Sequence, residues 1–377
     1  MAVQIIKVSN SKQRKAFSSF ANELYKGHPC YVPYLEIDEV NNFDKKKNVS
    51  LDFCDGDFFL AYKDNKLVGR VAAIINPKAN DYWNTKQVRF GWFDFIDDPE
   101  VSKALLDTVE KWGKERGMKQ IAGPLGFIDF DPEGMLIEGF DQIATYVGRY
   151  NASYYPQHLD RLGFEKEVDS FEYLVTIPDE LPERMVKIAN VVENRMNLHV
   201  RNITYKHVKK EKYGQKFFNL INESYCDLYG YSLLNEKQID QFVKGYLSML
   251  DYDMLSFIEN EQGDLVAAAV TMPSFAKALQ KANGKFLPFG WFHMLKALKF
   301  KREKTLEMLL VAVKPEYQNK GVNAMLMNDL FHKIRKKGYK YAETNPELEH
   351  NLKVQAQWEP FDKIRHKHRR IYGKPIE

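Results

Sequence analysis

The chain has 377 residues, 44% hydrophobic, 28% charged and 14% aromatic, which suits two or three domains that each bury a core. A net charge of +4 is too mild to argue for nucleic acid, and three cysteines without paired spacing (Cys30, Cys54, Cys226) indicate neither a disulfide framework nor a metal site. The longest apolar run, Leu265 to Met272, is far too short to cross a bilayer and no signal peptide is evident, so the cytoplasm is the expected location.

Val3 to Val8 reads as a strand, and Ser11 to Leu24 as a helix closed by Gly27. The segment HPCYVPYL, residues 28 to 35, is a proline-punctuated aromatic loop suited to packing or to substrate contact. Phe58 to Tyr62 and Lys66 to Asn76 form a hairpin around Asp64-Asn65, Val88 to Ile96 is a strand, and Pro99 to Gly117 a helix. A short strand at Gln120 to Gly123, an irregular stretch, a helix at Ala152 to Leu162 and a strand at Phe171 to Ile177 complete the first half. Residues 178 to 183, PDELPE, carry two prolines and three acids and read as a linker, so the expected modules are residues 1–180 and 181–377.

The order then repeats. A helix at Glu183 to Met196 leads to a strand at Val200 to Val208, helices at Lys212 to Tyr225 and Asn235 to Leu250, and a hairpin of Met254 to Glu259 with Leu265 to Pro273. An insertion at roughly 274 to 303 holds the aromatic segment FLPFGWFHML. After it comes LEMLLVAVKPEYQNKGVNAMLMNDLFHKIRKKG, residues 306 to 338. This is an apolar strand ended by Pro315, a Gly-containing loop, and a helix with Val322, Met325, Leu326, Leu330 and Ile334 on one face. Free N–H groups at such a helix N-terminus carry about half a positive charge and welcome a phosphate, and Gly321 permits close approach. A strand at Tyr339 to Thr344, a helix near Glu347 to Glu359 and a closing strand near Arg369 to Tyr372 finish the chain.

The strand, the V-x-P-x-Y-Q-x-K-G-V loop and the helix together resemble motif A of the GCN5-related N-acetyltransferases (GNAT). The resemblance implies a tandem-module α/β protein, a mixed sheet flanked by helices in each half, that uses acetyl-CoA or a longer acyl-CoA as co-substrate and no metal. It implies that the loop, Gln318, Asn319, Lys320, Gly321, Val322, Asn323 and Ala324, holds the pyrophosphate, while backbone groups at Val311 and Val313 align the pantetheine. Asn323 departs from the family's Gly or Ala. NLKVQAQWEPF, residues 351 to 361, resembles the helix that follows the fifth strand, with Asn351 and Glu359 in place and Val354 standing for the usual Ala. Trp358 stands where the family's tyrosine protonates the departing thiolate, so Tyr372 is the substitute donor considered, against a core or surface tyrosine. Glu307, six residues before Val313, has the spacing of the family's catalytic carboxylate. On an extended strand it shares a face with Leu309, Val311 and Val313, as a desolvated base or as a strand-end Glu in solvent.

The first half shows a GFEK motif at 163 to 166, but its loop reads IDDPEVSKALL, with Asp97, Asp98 and Glu100 and no glycine. Carboxylates there satisfy the helix N-terminus themselves and repel a pyrophosphate, so this module reads as a degenerate copy. The expected acceptor is a primary amine, either a small molecule or lipid-like, with no nucleic-acid partner. A scaffold that keeps only the fold is the non-catalytic alternative. Exposed aromatics beside Lys and Arg also fit peripheral contact with an anionic membrane.

Overall fold

A computed structural model of the chain describes residues 2–246, 250–300 and 303–377. Contacts divide it into two units. Unit 1 comprises Met1–Phe171, Phe275–Leu295 and His366–Glu377, and unit 2 comprises Glu172–Ser274 and Lys296–Arg365.

The first stretch of unit 1 runs β1 (Gln4–Lys7), α1 (Ser11–Leu24), α2 (Glu36–Asn42), β2 (Asp55–Lys63), β3 (Lys66–Ile75), α3 (Pro77–Tyr82), β4 (Gln87–Phe95), α4 (Pro99–Lys114), β5 (Gln120–Gly123), β6 (Met135–Glu138), α5 (Tyr154–Arg161) and β7 (Glu165–Thr176), the last strand ending in unit 2. Then follow α6 (Glu183–Met196), β8 (His199–Val200), α7 (Tyr205–Lys210), α8 (Tyr213–Tyr225), α9 (Glu236–Tyr246), β9 (Leu255–Glu259) and β10 (Leu265–Pro273). The insertion forms α10 (Ala276–Ala282) and α11 (Gly290–Lys299). The chain closes with β11 (Thr305–Val313), α12 (Val322–Lys336), β12 (Tyr341–Thr344), β13 (Glu347–Leu348), α13 (Leu352–Ala356) and β14 (Lys363–Pro375).

Each unit is a mixed sheet flanked by helices. In unit 1 the strands β1 to β5 pair in chain order, with β4 and β5 parallel. In unit 2 the end of β7 is followed by β12, β11, β10, β9 and β8, with β11 and β12 parallel. Phe17, Leu60, Val71, Phe90, Leu105 and Val109 are fully buried in unit 1, as are Ile221, Ile258, Val266, Leu306, Leu326 and Leu330 in unit 2. The apolar face expected on α12 is the one it buries, extended by Met327 and Phe331.

The division at 180/181 does not coincide with these units. Pairing is the reason: β14 lies against β5 and β6, with Tyr372 opposite Gly123 and Arg370 opposite Met135, so the end of the chain completes the sheet of unit 1. The strand expected at Val200 to Val208 is another correction. Only His199–Val200 is extended, and Thr204 then caps α7 in a reciprocal pair with His207, which gives the following residues a helical start. Glu347–Leu348 is strand rather than helix, leaving α13 shorter than expected. The expected helix from Asn235 begins as α9, and residues 247–249 lie outside the described residues.

An internal repeat is visible in the hydrogen bonds. In unit 1, Asn22 Oδ1 accepts from Tyr31 OH (2.7 Å) and Tyr34 N (3.1 Å), while Asn22 Nδ2 donates to Tyr34 O (3.0 Å). In unit 2, Asn222 Oδ1 accepts from Tyr231 OH (2.8 Å) and Leu234 N (2.9 Å), while Asn222 Nδ2 donates to Leu234 O (3.0 Å). Phe17, Asn22, Glu23, Tyr25, Tyr31 and Glu36 recur as Phe217, Asn222, Glu223, Tyr225, Tyr231 and Glu236. The same side chain pins the turn after the corresponding helix in both units.

Candidate functional site

In unit 2 the chemistry gathers where two parallel strands part. β11 and β12 are paired from Thr305/Tyr341 to Met308/Thr344 and no further. At that point β11 carries a bulge: Met308 faces Thr271 and Leu310 faces Val270 on β10, leaving Leu309 extra. Leu309 O is held by Asn345 Nδ2. Beyond the bulge, Val311 O accepts from Tyr225 OH (3.0 Å), and Val313 O accepts from Ser224 Oγ (3.1 Å) and Gln318 Nε2 (3.0 Å). Lys314 N turns the other way, to Val266 O on the neighbouring hairpin. Since a strand residue's N–H and C=O point to one side, the N–H groups of Val311 and Val313 face the edge that β12 has left.

The bulge changes the expected face of Glu307. Glu307 lies opposite Met272, so it shares a face with Leu310 and Ala312, which lie opposite Val270 and Ala268; Val311 and Val313 are on the other face. One inserted residue reverses the alternation. Glu307 is 1% exposed and side by side with buried Glu343 on β12, the last pair but one before the strands part.

The loop from Val313 to α12 is built as its residues require. Gln318 ties the turn back to Val313 O, Asn319 has φ +59° and Gly321 has φ +84° as the N-cap of α12. A Cβ on Gly321 would lie 2.8 Å from Ile188 Cγ2 and 3.0 Å from Val192 Cγ2, so α6 packs directly behind it. Asn319, Lys320 and Asn323 are exposed, Val322 is buried and Ala324 is half-buried. The sequence-derived loop residues are thus contiguous with Val311 and Val313 in unit 2. Asn351 is the half-buried N-cap of α13 in the same unit, without a side-chain cap bond. Tyr372 lies in unit 1 on β14, 2% exposed, 5.7 Å from the Arg370 guanidinium, and burial pushes its hydroxyl up to about 12.

Sequence reasoning missed one carboxyl. Trp358 is buried, and its indole N–H donates to Glu347 Oε1 at 2.6 Å. Glu347 is 8% exposed, its Oε2 is buried without a hydrogen-bond partner among the described residues, and burial pushes it up to about 7 despite Trp358 and Lys363. Tyr173 OH bonds Gln355 Oε1 at 3.3 Å, and Gln355 Nε2 bonds Leu348 O at 2.9 Å, so α13 and β13 are tied together around it. Glu347 follows the strand–proline boundary Thr344-Asn345-Pro346, the one signal that could have marked it.

Unit 1 has the same parting of strands, closed. β4 and β5 pair only from Gln87/Gln120 to Arg89/Ala122. The chain itself then enters the gap: Leu125 N donates to Phe90 O at 2.9 Å, and a Cβ on Gly91 would lie 2.4 Å from Leu125 O. The acidic loop is satisfied internally. Lys63 Nζ reaches Asp98 (2.6 Å) and Glu100 (2.9 Å), Asp98 Oδ1 accepts from Glu100 N, and Asp97 pairs with His158 Nε2 at 2.9 Å. The Lys63 ammonium holds Asp98 below the usual carboxylate range. Tyr31, Val32 and Leu35 of the aromatic loop are buried, and a cavity of about 430 Å³ beside them is lined by residues such as His28, Gln280 and Lys285, all of unit 1. No group of three or more His, Cys, Asp or Glu side chains able to hold a metal occurs among the described residues.

Residues 218–357 match the Acetyltransferase (GNAT) family. The tandem GNAT protein from the clavulanic acid biosynthesis pathway superposes with a TM-score of 0.56 at 10% identity, covering 100% of this chain and 99% of that one, a likeness of fold. Residues 218–357 thus carry a GNAT match, and the chain as a whole has the fold of a tandem GNAT protein. β11, the Gly321 loop and α12 all lie within the matched residues. Protein YghO of Escherichia coli K12 is 25% identical over 329 residues, 86% of this chain and 82% of that protein. The bacterial ceramide synthase of Caulobacter vibrioides is 24% identical over 331 residues, 86% of this chain and 84% of that protein.

Proposed function

We propose that unit 2 of this protein transfers an acyl group from a coenzyme A thioester to an amine. One observation carries the reading: β11 leaves β12 at a bulge, so the edge of Val311 and Val313 is no longer paired with β12 directly before a helix N-terminus whose cap is a left-handed glycine. A pantetheine amide pairs with such an edge, and a pyrophosphate suits such a terminus. In unit 1 the corresponding edge and loop are filled by Leu125 and Lys63, so a single working site is our reading.

In the proposed step the amine nitrogen attacks the thioester carbonyl, the C–N bond forms and the C–S bond breaks. Glu347, poised near neutrality, accepts the amine proton, as a base of matched pKa should. Tyr225 supplies the proton for the departing thiolate, because its hydroxyl lies on the open strand edge, whereas Tyr372 is sealed in the sheet of unit 1. Glu307, buried beside Glu343, is the second carboxylate to test for the base role.

The similarity, over 86% of this chain, to a protein named bacterial ceramide synthase favours a longer acyl chain and a lipid-like amine over acetyl transfer to a small polar amine. A donor series from acetyl- to palmitoyl-CoA, scored by calorimetric binding to the full chain, tests this. Affinity rising with chain length supports it; flat or falling affinity beyond acetyl leaves an N-acetyltransferase.

A further inference from the structure

Six large apolar side chains exposed on the surface crowd into ten residues: Phe286, Leu287, Phe289, Trp291, Phe292 and Leu295, with Leu287 and Phe289 each 70% exposed. Such crowding is more than the scattered exposure that any surface shows. The segment holding them is shaped rather than loose. Trp291 N donates to Phe286 O and Trp291 Nε1 to Pro288 O, each at 2.9 Å, closing a tight turn with Leu287 and Phe289 at its tip. Gly290 is forced, since a Cβ there would collide with Lys285 O. Along α11, Gly290 and Met294 face inward and are buried, while Trp291, Phe292, Leu295, Lys296 and Lys299 face out.

Charge identifies the occupant. From Leu265 to Arg302 the sequence contains no Asp or Glu, while Lys277, Lys281, Lys285, Lys296 and Lys299 all fall within it. Lys285, Lys296 and Lys299 are exposed and have no acidic partner among the described residues. We propose that this turn and the outer face of α11 dock onto an anionic phospholipid bilayer, with Leu287, Phe289, Trp291 and Phe292 entering the headgroup boundary and the three lysines resting on lipid phosphates. An amphipathic helix with aromatics on one side and lysines beside them binds in this way. A second copy of this chain fits worse, because a two-fold contact through the patch sets the same lysines against each other. The turn is already ordered, so docking freezes little new conformation. The inference is independent of whether unit 2 transfers an acyl group.

The test is co-sedimentation of the full chain with vesicles of phosphatidylcholine alone or phosphatidylcholine containing phosphatidylglycerol. The wild type is expected to pellet with the anionic vesicles and to be released by salt. Lys296→Glu/Lys299→Glu should lose at least about tenfold in partitioning, since each lysine near an anionic surface contributes roughly fivefold. Leu287→Ser/Phe289→Ser should lose a similar factor, and both pairs are exposed enough for thermal melting to stay at the wild-type value. Brominated lipid should quench wild-type tryptophan emission and quench Trp291→Phe less, a readout that does not depend on the paired variants folding. Wild type remaining in the supernatant with anionic vesicles, or both pairs pelleting like wild type, overturns the proposal. So does sedimentation velocity showing that the patch variants abolish a dimer while vesicle binding persists.

Discussion

Glu347→Gln isolates the carboxyl that Trp358 holds. Burial lifts Glu347 from 4.5 to about 7, which disfavours its ionised form in the fold by about 3 kcal/mol. The folded pKa lies above the unfolded one, so between them the native state binds more protons. Stability from this group is therefore fully present below about pH 4.5 and is lost as pH rises through about 7. Glutamine keeps an acceptor for the Trp358 N–H and cannot ionise. At pH 8 the variant should be more stable than wild type by up to about 3 kcal/mol, or roughly 6–12 °C in melting temperature for a unit of this size. At pH 4.5 the two should agree to within about 1 kcal/mol. Thermal melts at both values, with parallel rates of acyl transfer, give the answer. A stability difference that is the same at both pH values refutes the burial argument, whatever happens to activity.

Gly321→Ala places a Cβ on a residue at φ +84° and against Ile188, so it should cost about 2 kcal/mol in urea unfolding and weaken acyl-CoA at least tenfold in calorimetry. Tyr225→Phe should lower kcat about a hundredfold with KM little changed if the hydroxyl protonates the leaving thiolate; an unchanged kcat removes it from the step. Asn22→Ala and Asn222→Ala each break three hydrogen bonds that pin a turn, and each should cost about 2–3 kcal/mol by chemical denaturation.

What was legible in the sequence was whatever rests on local rules. The face of α12 follows from spacing alone, and so do the glycine of its loop and the acids of the loop at Asp97, Asp98 and Glu100. The face of Glu307 was not legible, because a single extra residue at Leu309 reverses strand alternation and leaves no mark in composition. The membership of β14 was hidden for a different reason: strand pairing is a long-range choice, and Tyr372 opposite Gly123 joins residues far apart in the chain. Glu347 looked like the start of a helix, and only the Trp358 indole reveals its burial. The repeat of Asn22, Tyr25 and Tyr31 as Asn222, Tyr225 and Tyr231 was present in the sequence throughout. Its meaning appeared only when both asparagines were seen making the same three hydrogen bonds.

The measurement closest to the central claim is amide formation by the full chain. Purified protein is mixed with a long-chain acyl-CoA and a panel of primary amines, including long-chain amino alcohols, and free thiol is compared with amide product by mass spectrometry. Equal amounts of thiol and amide are expected, with loss of both in Gly321→Glu and retention of both in Asp98→Ala of unit 1. Tight acyl-CoA binding without amide from any amine, or equal turnover in Gly321→Glu, contradicts the proposed transfer.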